Sequence, residues 1–142
     1  MRRIERFWPE SKEQPWGQEV LVASTAHYTG KVLFYKAGEA GGLQYHMLKY
    51  ESFYLFSGRA IVRYDNGNGG LVESTMEPGQ TFQIPPGAPH QFEAITNCIV
   101  FEASTPGVND RVNVGERYGR PPEPGTLPTT WSEEEIKAFE QA

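Results

Sequence analysis

The chain has 142 residues, 38% of them hydrophobic and 22% charged, with a formal net charge of −5. That length fits one domain around one core, and the composition excludes a chain disordered throughout. The acidic balance excludes the electrostatic footprint of a nucleic-acid binder, since Arg2, Arg3 and Arg6 form too short a basic cluster to reverse it.

Residues 1–18 are polar, with Pro9, Pro15 and Gly17 as breakers, and are expected to form an irregular arm over the body of the protein. The N-terminus lacks an apolar leader and no apolar run approaches the ~18 residues of a membrane span, so a cytoplasmic protein with no membrane partner is expected. Short runs rich in Val, Ile, Phe and Tyr follow: Glu19–Thr25, Lys31–Ala37, Leu43–Lys49, Phe53–Phe56, Arg59–Tyr64, Leu71–Thr75, Thr81–Ile84, His90–Glu93 and Asn97–Ala103. Most alternate, as half-buried strands do. Ser57-Gly58 reads as a tight hairpin, Asp65–Gly70 as a flexible loop, and Pro78-Gly79 and Pro85-Pro86-Gly87 as rigid turns. About nine short strands at this spacing indicate an all-β sandwich or closed barrel spanning residues 19–105. The single cysteine, Cys98, precedes Ile99-Val100-Phe101 and reads as an inert core thiol. His27, in a polar turn, reads as a surface residue.

Residues 106–142 change character. Pro106–Pro128 is rich in Pro and Gly and is expected to wrap the barrel as an extended segment. A short C-terminal helix follows. Ser132 with Glu135 forms a capping box, Trp131 and Ile136 a hydrophobic staple, and Glu133–Glu135 put negative charge in the first turn.

Four residues carry the chemistry. Gln44 and His46, two apart on a strand, point to the same face. Glu51 begins the next strand after an irregularity at Lys49-Tyr50, and the proline-rich segment 85–89 fixes the approach of His90. Taken singly, each has a plain structural reading: a hydrogen-bonded core pair, a solvated charge, a turn residue. Together, two imidazoles, a carboxylate and an amide oxygen suit one divalent ion, and Zn, Mn, Fe, Co and Ni are all compatible.

The joint spacing resembles the cupin superfamily. Glu51 is followed after six residues by Gly58, and Gly79 after five by Pro85, then Gly87 and, after two more, His90. Residues 42–58 and 79–90 match both cupin motifs, with Gln44 where the first His usually stands and Ala94 where Asn often closes the second. The resemblance implies a double-stranded β-helix, or jelly-roll, barrel with metal ligands Gln44, His46, Glu51 and His90.

Within that superfamily the chain resembles the phosphomannose isomerase branch and the isomerase domain of mannose-1-phosphate guanylyltransferases. Pro15-Trp16-Gly17, Leu43-Gln44-Tyr45-His46 and the stretch Asn109–Arg120 carry this likeness. The branch's Arg in the last stretch falls on Asn113, with Arg111 shifted by two. The resemblance implies a sugar or sugar-phosphate substrate, aldose–ketose isomerisation and a homodimer, with Lys49, Arg111 and Arg120 as substrate-binding candidates. A bound ion would polarise a hydroxy-carbonyl substrate for removal of a C–H proton. Lys49, Tyr54, Gln83, Glu93 and Glu102 are candidates for the base that takes it. A cupin dioxygenase and a non-catalytic small-molecule binder are the alternative readings.

Overall fold

A computed structural model describes residues 1–107 and 109–142. Val108, in the segment expected to wrap the barrel, lies outside the described residues. The chain is all-β except for one short helix. Its strands in order are β1 (Glu10–Gln14), β2 (Gly17–Ser24), β3 (Thr29–Tyr35), β4 (Gln44–His46), β5 (Glu51–Ser57) and β6 (Ala60–Asp65). There follow β7 (Leu71–Met76), β8 (Thr81–Ile84), β9 (His90–Ala94), β10 (Cys98–Ser104) and β11 (Arg111–Asn113). A 3-10 turn covers Gly115–Tyr118, and helix α1 covers Glu133–Glu140.

Two antiparallel sheets face each other as a jelly roll. The first has strand order β1-β2-β3-β10-β5-β8 and the second β11-β4-β9-β6-β7. Alternation along the strands puts Leu33, Leu55, Val62, Phe92 and Val100 between the sheets, where they form the main core with Ala60, Met76 and Cys98. Cys98 is buried, and burial pushes its thiol above the usual range, as an inert core position requires. His27 is exposed.

A second cluster covers the outward face of the second sheet. Leu43, Tyr45 and Met47 pack with Val112 and Val114 under Trp131, Ile136 and Phe139. Helix α1 is fixed there: the Ser132 side chain accepts from the Glu135 N–H (3.2 Å), and Tyr45 donates to Glu140 (2.6 Å). The Ser132 half of the capping box is thus formed, and both members of the expected staple pack against this cluster.

Four local expectations need correction. Ser57-Gly58 does not join a hairpin, because β5 and β6 belong to different sheets. It is the crossover between them, where Gly58 has φ 96° and a Cβ would collide with Asn97 and Cys98. The strand expected over Leu43–Lys49 holds only at Gln44–His46, since the chain then bends out of the sheet. Residues 1–18 are not irregular throughout: β1 pairs with β2 from Glu10↔Leu21 to Gln14↔Gly17. The segment 106–128 contains β11, paired with β4, and the 3-10 turn.

Candidate metal centre

Eight strands, β1–β5 and β9–β11, contribute side chains to one site. On β4, Gln44 and His46 share a face, and β11 places Arg111 directly opposite His46. The bend after β4 is held by Asp110, which is 1% exposed. One of its carboxylate oxygens accepts from the backbone N–H groups of Leu48 (2.7 Å) and Lys49 (2.9 Å), and the other from Nδ1 of His46 (2.9 Å). The irregularity at Lys49-Tyr50 is therefore a carboxylate-capped bend that also orients a ring.

His90 opens β9, in register with Gln44. Its approach is set by the turn before it: the Gly87 N–H donates to the His46 carbonyl (2.7 Å), and His90 Nδ1 donates to the Ala88 carbonyl (2.9 Å). Glu51 opens β5 and is 4% exposed. Its Oε1 lies 3.3 Å from both Nε2 of His46 and Nζ of Lys49, and its Oε2 lies 3.2 Å from Nε2 of His90.

This arrangement has a chemical consequence. Asp110 and the Ala88 carbonyl can only accept, so both rings carry hydrogen on Nδ1. In the neutral rings, both Nε2 atoms then aim lone pairs at a carboxylate, and Glu51 Oε2 has no hydrogen-bond partner. A proton on Nε2 or a cation among the three groups relieves that repulsion. Burial pushes the Glu51 carboxyl up, but once His46 and His90 carry a proton on Nε2 their hydrogen bonds and charge hold it well below the usual range. Donor atoms of His46, Glu51 and His90 all lie within 4.8 Å of one another, so the trio could hold a metal ion. The Asp110–His46 pair matches the carboxylate–histidine support common behind metal ligands. Replacing Asp110 with Asn is expected to weaken metal affinity by about 10–100-fold, measured by competition with a chelator; unchanged affinity would show that Asp110 only holds the bend.

The trio opens into a cavity of about 260 Å³. That lies near the lower end of small-molecule sites, roughly 300–1,000 Å³, and suits a ligand of monosaccharide size. Gln44, Lys49 and Arg111 line it, as do Lys12, Lys31, Glu19 and Glu102. Arg120 does not. It lines an adjacent groove with Asn113 and Arg117, which meets the cavity at Gln91 and Thr126. Among the described residues, Lys31 is paired with Glu19 (3.1 Å), while Lys12 and Arg111 have no acidic partner within 4 Å.

The base candidates separate clearly. Tyr54 faces outward and stacks on Phe101 (6.0 Å), Gln83 is exposed, and Glu93 is bonded to Arg63 (2.9 Å). Burial lowers the Lys49 ammonium, but Glu102 and Glu51 outweigh it and hold the group raised, hence protonated. Glu102 is the remaining one. Burial and then the charge of Glu51 push its carboxyl above the usual range, against Lys49 and Lys31, and its Oε2 is buried without a partner.

Sequence reasoning assigned no role to Asp110, Tyr35 or Trp16. Trp16 stacks on Tyr35 with ring centroids 4.0 Å apart, forming an aromatic wall of the cavity. Pro15-Trp16-Gly17 had signalled only a family likeness. Asp110 lies in the family-like stretch Asn109–Arg120, but nothing there pointed to its partners, which lie more than sixty positions away.

The profile of the cupin domain matches residues 31–103, a little over half of the chain. No curated protein sequence matches it. Several solved structures share the fold. The capsular polysaccharide assembling protein CapF from Staphylococcus aureus superposes with a TM-score of 0.68 at 18% identity, over 77% of this chain and 35% of that one. KdgF from Halomonas sp. gives 0.60 at 17% identity, over 70% and 90%. A tryptophan-to-phenylalanine variant of oxalate decarboxylase from Bacillus subtilis gives 0.65 at 17%, over 75% and 30%. The latter enzyme has been described by its Mn(II) centres. This chain therefore spans about a third of the length of CapF and of oxalate decarboxylase, and at these identities the likeness is one of fold.

Proposed function

The chain belongs to the cupin family, and on that premise we propose that it is a metal-dependent enzyme acting on a small sugar or sugar phosphate, most simply an aldose–ketose isomerase. One observation carries the metal: two oriented imidazoles present Nε2 to a buried carboxylate with an unpartnered oxygen. His46, Glu51 and His90, with the Gln44 amide beside them, would hold one divalent ion. When bound, the ion would polarise a substrate carbonyl.

The chain's own groups would do the rest. Glu102 would take the C–H proton. Arg111, whose guanidinium hydrogen-bonds among the described residues only to the Pro128 carbonyl (3.4 Å), would meet an anionic substrate group. Lys49 would stay charged beside the developing oxyanion. Trp16 and Tyr35 would stack against the apolar face of a sugar ring. Arg120 has a place in this reading only for a substrate long enough to pass Gln91 into the neighbouring groove. The sugar class is supported by the cavity's size and polarity, by the branch-like stretches between residues 15 and 120, and by the fold shared with a capsular polysaccharide assembling protein. A homodimer and a cytoplasmic location go with the same resemblance. No described helix is long and apolar enough to cross a membrane. The amide of Gln44 in place of a third imidazole disfavours the oxygenase alternative.

The test is elemental mass spectrometry on protein purified without added metal, beside the His46→Ala/His90→Ala double variant. About one equivalent is expected in the wild type and none in the variant. Aldose–ketose interconversion, assayed with that ion over a panel of sugar phosphates, should then proceed without oxygen. A protein that neither carries nor takes up metal would overturn the reading, and oxygen uptake with Fe(II) would move it to the oxygenase class.

A further inference from the structure

The groove that holds Arg120 is larger than the metal cavity, about 370 Å³ against 260 Å³, and none of the groups assigned to the chemistry at the metal lies in it. The two are neighbours across a thin partition made by Gln91 and Thr126, which line both. Gln91 is fixed there: its amide donates to the Gly41 carbonyl (2.9 Å) and accepts from Arg63 (3.2 Å). Beside it the partition lacks a side chain. Gly42 lines the metal cavity, and a Cβ on it would lie 2.9 Å from the Thr126 methyl and 3.6 Å from Asn113 Oδ1, both on groove residues. Gly42 has no left-handed φ, so its backbone would admit another residue. What glycine supplies is the space, since any side chain there would press on Thr126 and Asn113 and close the way between the two pockets.

The polar groups of the groove are incomplete in a particular combination. Among the described residues, Arg120 Nε is buried without a hydrogen-bond partner, and the contact of Arg120 Nη2 with Glu123 Oε1, at 3.8 Å, is past hydrogen-bonding distance. Asn113 Nδ2 donates to the Leu127 carbonyl (2.6 Å), which turns Oδ1 the other way, where it too is buried and unpartnered. One wall thus offers a donor that lacks an acceptor, and another an acceptor that lacks a donor. Such groups cost free energy until something completes them. An anion would serve Arg120 but would face the Asn113 oxygen and the carboxylates of Glu116 and Glu123; a cation would serve only the acceptors. A hydroxyl donates and accepts at once, so a ring that bears several of them serves both. Pro121 and Pro122 add the apolar surface on which the C–H face of such a ring would rest.

We propose that this groove is a second sugar subsite, so that the ligand is a saccharide of at least two units. The reducing unit lies against His46, Glu51 and His90, and the next passes Gln91 to lie between Arg120 and the two prolines. That subsite rests on the reading of the metal cavity as a sugar site and extends it: 260 Å³ suits a single ring and leaves the groove for another.

Isothermal titration calorimetry on the metal-loaded protein tests it, with glucose and mannose beside the reducing disaccharides maltose, cellobiose, lactose and mannobiose. At least one disaccharide should bind more tightly than its own reducing-end monosaccharide by about tenfold or more, the worth of one hydrogen bond to a charged group. Arg120→Ala, and Pro122→Trp at an exposed position where the indole would fill the groove, should each remove that gain and leave monosaccharide affinity and metal content as in the wild type. Monosaccharides that bind with no disaccharide gaining over them would overturn the subsite alone. A gain that survives either variant would overturn it as well, because the second unit would then lie elsewhere. Failure of every sugar to bind would overturn the sugar reading of the cavity, and the subsite with it.

Discussion

Replacing Glu51 with glutamine is expected to strip the protein of metal while leaving the barrel folded. Glu51 is the one anionic group among the four proposed ligands, so the change removes the only charge that compensates the ion. The loss should exceed the ~100-fold upper end seen for outer-shell partners, taking metal content from about one equivalent to near zero by elemental mass spectrometry. The fold should survive because glutamine is isosteric and its amide can donate to one of the two Nε2 atoms that Glu51 faces at 3.2–3.3 Å. The metal-free protein provides a second readout. The Glu51 carboxyl sits well below its ordinary range when His46 and His90 bond to it. A depressed carboxyl contributes stability that is present above its unfolded-state pKa, and that contribution fades as pH falls through the depressed folded value. Chelated wild type should thus lose stability on acidification below the ordinary glutamate range, and Glu51→Gln should lose less. Full metal occupancy in Glu51→Gln would remove Glu51 from the site.

Chelation should also lower the melting temperature of the wild type and leave Glu51→Gln unmoved. A ligand that binds only the folded state stabilises it by about 2.7 kcal/mol at a concentration 100 times its Kd. That shift is a mass-action effect and should scale with free metal concentration.

The proposed ligands were legible through their joint spacing, which resembles the cupin motifs, and local chemistry supports two parts of it. Gln44 and His46 share a face by strand periodicity alone, and the turn at Pro85–Pro89 announces a fixed entry for His90. The nine central strands were legible because their alternation faces a core. What stayed hidden is long-range or lacks periodicity. Strand β1 reads Glu-Ser-Lys-Glu-Gln, with no apolar residue to alternate, and it forms because the edge of β2 offers a ladder. Strand β11 is three residues inside a Pro/Gly-rich stretch and is defined by pairing with β4. The Ser57-Gly58 turn has hairpin chemistry, but the topology of a jelly roll sends the next strand to the other sheet. Asp110 acts through groups more than sixty residues away, so no window of sequence could link it to His46. Arg120, the last residue of the branch-like stretch, was drawn toward the substrate by that likeness, whereas the 3-10 turn at Gly115–Tyr118 carries it into the neighbouring groove.

Glu102→Gln is expected to abolish most turnover without touching the metal. Glu102 lies on β10, in register with Lys31 on one side and Phe53 on the other, and its side chain faces the cavity. A general base contributes typically 10²–10⁴-fold, so kcat should fall by about that factor on any aldose–ketose pair the wild type interconverts, with KM and metal content close to wild type. A purely structural role for Glu102 would move stability and leave the kcat loss small. The pH profile gives an independent sign. A base must be ionised to act, and burial beside Glu51 holds the Glu102 carboxyl above the usual range; the acidic limb of kcat/KM should therefore lie above ordinary glutamate titration and should vanish in the variant. Stability should move the opposite way. A carboxyl whose folded pKa is raised stabilises the fold only while protonated, and that contribution is lost as pH rises from its unfolded pKa through the raised folded value. Above that window the wild type holds a buried carboxylate whose Oε2 lacks a donor, whereas a neutral amide at the same place escapes that penalty. Metal-free Glu102→Gln should thus melt at or above the wild-type temperature near pH 8 and lose its advantage below the window. Such a trade, in which one substitution raises stability and removes activity, is expected of a residue retained for chemistry; turnover within a few-fold of wild type would take the proton transfer away from Glu102.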